Sequence, residues 1–252
     1  MATFEEELKR IHPVINALST FALLGKKIVI QGKENFIKNG PNIIVGNHIG
    51  TFKDIATLFK IVPRPIFFTA NRMIFDKHEF NYLIGKHLRR HLKKFGPCAE
   101  LLLNPIKSSL VNFISTNISK VGTIPVDLYE GKRLAVKTCQ EYLKKGRAII
   151  ALQGRGRIMK KSLHPYVSAF KRGVPVISYN LFKEDGINVP VTPLAMFGTH
   201  YSYLVPVKIR INVGEPMYIS ADIKEGSPDP VDRFRDTLER RVKSLFGELI
   251  RL

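Results

Sequence analysis

Apolar positions along the chain follow two rhythms, helical and extended, and their alternation outlines a fold. Phe4, Leu8, Ile11, Val14, Ile15, Leu18, Phe21 and Leu24 recur at helical spacing, with acids early and lysines late. This predicts one amphipathic helix, kinked at Pro13. Its stripe suits either packing on a core or lying in a bilayer interface. Short β-type runs follow at 27–30 and 42–45, parted by the turn-like Lys38-Asn39-Gly40-Pro41. Beyond them the pattern predicts a helix over 51–61, a strand at 65–69 and helical stretches across 77–118. A strand at 123–126, a helix over 132–145 and a buried strand at 148–152 come next. Strands at 189–196 and 207–213 precede a last helix, introduced by the polar Glu225-Gly226-Ser227-Pro228-Asp229-Pro230 and running to Leu252.

Residues 170–182 fit both rhythms. Val174, Val176 and Ile177 favour a strand by propensity, while Phe170, Val174, Ile177 and Leu181 form a helical stripe, and the helix is preferred. Strands alternating with helices imply an α/β fold, a single layered domain with a largely parallel mixed sheet flanked by helices. The expected organisation is an amphipathic helix over 1–25 and one domain over 26–252, carrying a helical basic and apolar insert at 71–121. No internal repeat is visible, and 252 residues suffice for one substantial core.

Charge narrows the partners. Forty Lys and Arg against 21 Asp and Glu give a net charge of +19. Such a field attracts polyanions, namely nucleic acid, anionic lipid headgroups or phosphorylated substrates. Cys98 and Cys139 offer neither a disulfide framework nor metal-ligand spacing, which suggests a reduced cytosolic setting. Glu5, Glu6 and Glu7 stand where a secretory signal needs basic residues, so none is expected. The longest apolar run, 14–25, is about a dozen residues against the ~20 a spanning helix requires. Any membrane would be met from its surface.

Two strand exits carry the candidate chemistry. Asn47-His48 follows the buried run Ile43-Ile44-Val45-Gly46, and Asp54 lies within the next helix. A histidine so placed, with an acid to orient it, suits removal of a hydroxyl proton before attack on an activated acyl group. The alternative is a solvated helix N-terminus with an incidental acid. The second exit is Gln153-Gly154-Arg155-Gly156-Arg157, where glycines admit a close ligand and guanidinium forks match phosphate oxygens. Alone this would read as a basic surface turn. At the carboxyl end of a strand in an α/β sheet it points to phosphate binding.

The order of these blocks resembles the glycerolipid acyltransferases, the lysophosphatidate and glycerol-3-phosphate acyltransferase family. Residues 29–35 with 41–48 are similar to the family's first strand-turn-strand and its Asn-His signature. Gly122-Thr123-Ile124-Pro125-Val126-Asp127 is similar to its second block, and 152–157 to its phosphate loop. Ala169-Phe170-Lys171-Arg172-Gly173, Val189-Pro190-Val191-Thr192-Pro193 and Val213-Gly214-Glu215-Pro216 match later blocks. The resemblance covers roughly 27–250. It implies the family's α/β fold and acyl transfer from acyl-CoA or acyl carrier protein, as substrate rather than cofactor, to a lysophospholipid or glycerol phosphate hydroxyl. By position it implies His48 as base, Asp54 as its partner and Arg157 as a phosphate ligand, with no covalent enzyme intermediate. Gly154, Arg155, Gly156 and Lys53 join Arg157 as substrate-binding candidates.

Three departures bear on this. Five residues separate His48 from Asp54 where the family has four, so Lys53 stands at the nominal acid position, and a bulge at Gly50 is expected to absorb the extra residue. The phosphate loop lacks the family's glutamate. Leu128 stands where an arginine is usual.

Within the insert, 85–94 interleaves basic with aliphatic residues. This suits an anionic headgroup boundary, a nucleic-acid backbone or plain solvent. His87 and His91 lack acidic or cysteine companions and are read as surface residues, so no metal is expected. Residues 99–118 suit core or acyl-channel lining. The resulting expectation is a cytoplasmic acyltransferase of phospholipid biosynthesis, peripherally associated with an anionic membrane surface. The alternatives are a catalytically weak lipid-binding relative and, behind it, a basic nucleic-acid-binding domain. No nucleic-acid partner is expected, because no such motif is present.

Overall fold

The computed structural model describes residues 4–91, 96–120, 122–126, 132–202, 205–224 and 228–251. In chain order the elements are α1 (Phe4–Ala22), β1 (Lys27–Gln31), β2 (Asn42–His48), α2 (Phe52–Ile61), β3 (Ile66–Asn71), α3 (Lys77–His91), α4 (Gly96–Asn117) and β4 (Ile124–Val126). There follow α5 (Lys132–Lys144), β5 (Ala148–Gly154), α6 (Gly173–Asp185), β6 (Val191–Phe197), β7 (Lys208–Val213), α7 (Ile219–Lys224) and α8 (Pro230–Ile250). The sheet has seven strands in the order β1-β7-β6-β2-β5-β3-β4. Every described pairing is parallel except β6 with β7.

The chain divides into two compact units. The larger comprises Pro13–Phe67 and Val136–Leu252. Its centre is β2, hydrogen-bonded in parallel to β5 on one side and β6 on the other. Helices cover both faces of such strands, so they read as continuous apolar runs rather than alternating ones. Accordingly Ile43, Ile44, Val45, Ile149, Ile150, Val191 and Leu194 are all buried. Removing the Ile44 side chain to alanine would cost about 2–5 kcal/mol. Helix α8 lies along β6 and β7 and buries Phe234, Leu238, Val242, Leu245 and Leu249, a stripe at the 3.6-residue period. Its start is set by Asp229, whose carboxylate accepts from the Asp232 amide at 3.0 Å, with Pro230 in the first turn.

The smaller unit comprises Met1–His12 and Phe68–Ala135. In it α3 and α4 pack together, and β3 pairs with β4 from Thr69↔Ile124 to Asn71↔Val126. Asp76 caps α3 by accepting from the His78 and Glu79 amides, both at 2.8 Å. Those bonds hold its carboxyl below the ordinary carboxylate range.

Several boundaries differ from the hydrophobic pattern. Strands β2 and β5 each run past their apolar residues, ending at His48 and Gly154. Polar residues at a sheet's carboxyl end keep ladder bonds after the apolar signal has stopped. Residues 173–185 form a helix, and its stripe of Val174, Ile177 and Leu181 is buried. Helix α7 was not anticipated, because six residues are too few for a periodic signal. The expectations for Asp127, Leu128 and 225–227 lie outside the described residues, as do those for the side chains at 87–94.

Candidate active site

Asn47 locks the exit of β2. Its side chain is buried, accepts from the Met196 amide at 2.8 Å, and donates to the Met196 and Tyr166 carbonyls at 2.9 and 3.1 Å. The amide thus stands in for a further ladder rung beyond Gly46↔Leu194, the last β2–β6 pair. Each buried polar atom it satisfies would otherwise be left unpaired at a cost of about 1–3 kcal/mol. His48 is the next residue and pairs with Gly154 across β5.

The backbone then turns sharply into α2. Gly50 is pressed against Thr199, where an added Cβ would come within 2.3 Å of the Thr199 Cβ. Thr51 has φ 52° and ψ −118°, and it is the one non-glycine residue with positive φ among those described. The unusual backbone between His48 and Asp54 thus falls at Thr51, next to Gly50, where a bulge was expected. Such backbone costs about 1–3 kcal/mol and persists only where its surroundings over-determine it. Here the Thr51 hydroxyl donates to the Gly156 carbonyl at 2.8 Å, fastening the turn to the glycine-arginine loop.

Asp54 sits in the first turn of α2, wholly buried, and one of its oxygens collects three donors. Oδ2 accepts from the Ile49 amide at 2.9 Å, the Gly50 amide at 2.8 Å and Nδ1 of His48 at 2.7 Å. A carboxylate oxygen can only accept, so the shared hydrogen belongs to Nδ1. Nε2 is left with its lone pair free. The His48 side chain is 22% exposed, so the ring reaches the surface rather than lying in the core. A Cβ at Gly156 would sit 3.2 Å from Nε2, and the φ of 67° there already favours glycine. The loop glycine keeps space open beside Nε2.

The remaining candidates divide. Gly154 and Gly156 border His48 directly. Arg155 and Arg157 are exposed and form no ion pair or hydrogen bond among the described residues, leaving their guanidinium groups to solvent. Lys53, expected to face substrate, is buried and its ammonium donates to the Tyr201 carbonyl. Burial lowers its pKa, the Lys26 charge lowers it further, and Asp54 opposes both. Lys26 in turn donates to the Ser202 carbonyl at 3.0 Å and to that of Val205, so two ammonium groups hold the loop after β6.

That loop holds what sequence reasoning missed. Thr199 Oγ1 and His200 Nδ1 are buried without a described hydrogen-bond partner, and so is Asp54 Oδ1. Burial pushes the His200 pKa below 6.5, nearby Lys53 adds to this, and Asp54 acts in the opposite direction. The available signal was position alone. Gly198-Thr199-His200 leaves the carboxyl end of β6, beside the strand that carries His48. Among the described residues no cluster of His, Cys, Asp or Glu could hold a metal ion.

The sheet and its flanking helices define a layered α/β protein whose candidate site lies at the carboxyl ends of its central strands. A solved structure with this fold is the 1-acyl-sn-glycerophosphate (LPA) acyltransferase PlsC from Thermotoga maritima, with a TM-score of 0.59. The two chains are 20% identical over 99% of this chain and 84% of that one. No family model matches the chain, and no curated protein matches it by sequence.

Proposed function

We propose that the chain is an O-acyltransferase. It would move a fatty acyl group from acyl-CoA or acyl carrier protein to a hydroxyl of a lysophospholipid or glycerol phosphate, working at a membrane surface. The observation that carries this is the 2.7 Å contact between His48 Nδ1 and Asp54, which leaves Nε2 as an acceptor on a ring that reaches the surface. The likeness of fold to an LPA acyltransferase supports the substrate class.

Nε2 takes the proton of the acceptor hydroxyl as its oxygen attacks the thioester carbonyl. The tetrahedral intermediate collapses with cleavage of the carbon–sulfur bond, and the leaving thiolate takes that proton back from Nε2. Asp54 keeps the ring in the productive tautomer and stabilises the imidazolium between the two transfers. Arg155 and Arg157, the chain neighbours of Gly156, serve as forks for the acceptor's phosphate. Residues 154–157 thereby set which alcohol is presented, while the His48–Asp54 pair sets how fast it reacts.

The net charge of +19 supports peripheral association with an anionic surface on the cytoplasmic side. No described helix is long and apolar enough to cross a membrane. The test is release of free thiol from acyl-CoA and from acyl carrier protein, with lysophosphatidate, other lysophospholipids and glycerol 3-phosphate offered in turn. Acceptor-dependent release that falls when Arg155 and Arg157 are both changed to alanine supports the reading. Absence of acceptor-dependent release across the panel overturns it, and leaves a lipid-binding relative without turnover.

A further inference from the structure

The segment that follows the glycine-arginine loop is a small projection fastened at both ends to the candidate active site. Its near end is held where the Thr51 hydroxyl donates to the Gly156 carbonyl at 2.8 Å. Its far end is held where Asn47 donates to the Tyr166 carbonyl at 3.1 Å, and there the Tyr166 ring stacks on Phe246 at a centroid distance of 5.1 Å. Between them the chain closes on itself. The Met159 amide donates to the Pro165 carbonyl at 2.9 Å, and the Ser162 amide to the Met159 carbonyl at 2.7 Å. The tip is therefore a built turn.

Its side chains are distributed unlike those of an ordinary loop. Leu163 is 91% exposed, the largest exposure of any large hydrophobic residue among those described. Lys160 and Lys161, beside it, are exposed and make no ion pair among the described residues. Arg155 and Arg157 add two more cations at the base, and no acidic residue occurs anywhere from 155 to 166. A bare leucine two residues after a pair of lysines fits a boundary where hydrocarbon lies just beneath a layer of phosphates. A stable protein partner would instead ask for a broad surface of about 800 Å² with an apolar centre, which one leucine does not make.

We propose that the 157–165 projection is a membrane-docking tip. Leu163 enters the acyl boundary of an anionic bilayer, and Lys160 and Lys161 engage its headgroup phosphates. Because both ends of the projection are tied to the segments carrying His48, docking would present Nε2 to lipid hydroxyls at the surface. This deepens the acyltransferase reading and rests on it for its purpose, but not for its test.

The chain contains no tryptophan, so Leu163→Trp places a single reporter at the tip. With vesicles of phosphatidylcholine and phosphatidylglycerol, its emission is expected to shift to the blue, with little change on pure phosphatidylcholine. In sedimentation with the same vesicles, Leu163→Ser is expected to bind about tenfold more weakly than the parent chain. Lys160→Glu with Lys161→Glu is expected to lose at least as much. Both variants should keep transfer to a short-chain acceptor held below its micellar concentration. Unshifted emission on anionic vesicles, or parental binding by both variants, overturns the proposal. So does weakened use of an acidic carrier-protein donor with vesicle binding intact, which would assign the tip to that protein instead. Should the parent chain show no acyl transfer at all, the proposed function falls, while the vesicle measurements still decide the tip.

Discussion

The two ends of the central strands are built to opposite standards. At the amino end, Arg64 donates to the Gly40 carbonyl at 2.7 Å and the Gly146 carbonyl at 2.6 Å, tying the turns before β2 and β5 together. Thr192 donates to the Asn42 side chain at 3.2 Å, while Asn42 Nδ2 is buried without a described partner. The positive φ at the amino end falls on glycines, Gly40 and Gly146, whereas at the carboxyl end the backbone is strained at Thr51, the one non-glycine residue with positive φ among those described. There Asp54, Thr199 and His200 each keep a buried polar atom without a described partner. Closing polar groups stabilises, whereas leaving them directed and unclosed keeps them available to a ligand. The amino end holds the sheet together, and the carboxyl end uses that rigidity.

Substitutions at the two ends should therefore separate turnover from stability. The largest expected effect at the carboxyl end beside His48 itself is Asp54→Asn. It alters the acceptor that fixes the imidazole tautomer and should lower kcat by about 10³-fold or more in thiol-release assays. Gly156→Ala comes next. Its Cβ would approach Nε2 to 3.2 Å on a backbone with φ 67°, and about 10²-fold lower turnover is expected. Arg64→Ala should do the reverse, costing about 2 kcal/mol in denaturant unfolding while leaving kcat within twofold.

The smallest effect concerns pH. His200 is held below its ordinary value near 6.5, chiefly by burial. As pH falls past 6.5 the unfolded chain binds this proton more readily than the folded one, so His200 makes stability decline with acidification until the folded group also protonates. His200→Gln should flatten that part of the unfolding profile below pH 6.5. An unchanged slope would show that His200 is not the group responsible.

Much of this contrast was legible in the chain. The buried run before His48, the glycines and arginines after β5 and the alternation of strands with helices are local patterns, and each keeps its meaning wherever the chain goes. The reach of Asp54 was less accessible. With one residue more than the related spacing, whether the carboxylate faces the ring depends on a single backbone turn at Thr51, and threonine gives no advance sign of positive φ. Lys53 read as a substrate-binding candidate because composition cannot show that its ammonium donates to the Tyr201 carbonyl. Thr199 and His200 escaped notice for the same reason, since only strand order brings the end of β6 beside β2. Leu163 was unremarked because exposure belongs to the folded chain.

The account rests on Nε2 of His48 as the base. The most direct measurement is turnover of His48→Ala beside the parent chain, on the acceptor that supports the fastest thiol release, with unfolding midpoints compared in parallel. A loss of at least about 10³-fold, no smaller than that of Asp54→Asn, with little change in stability is the expected result. Undiminished turnover in a folded His48→Ala protein would contradict it.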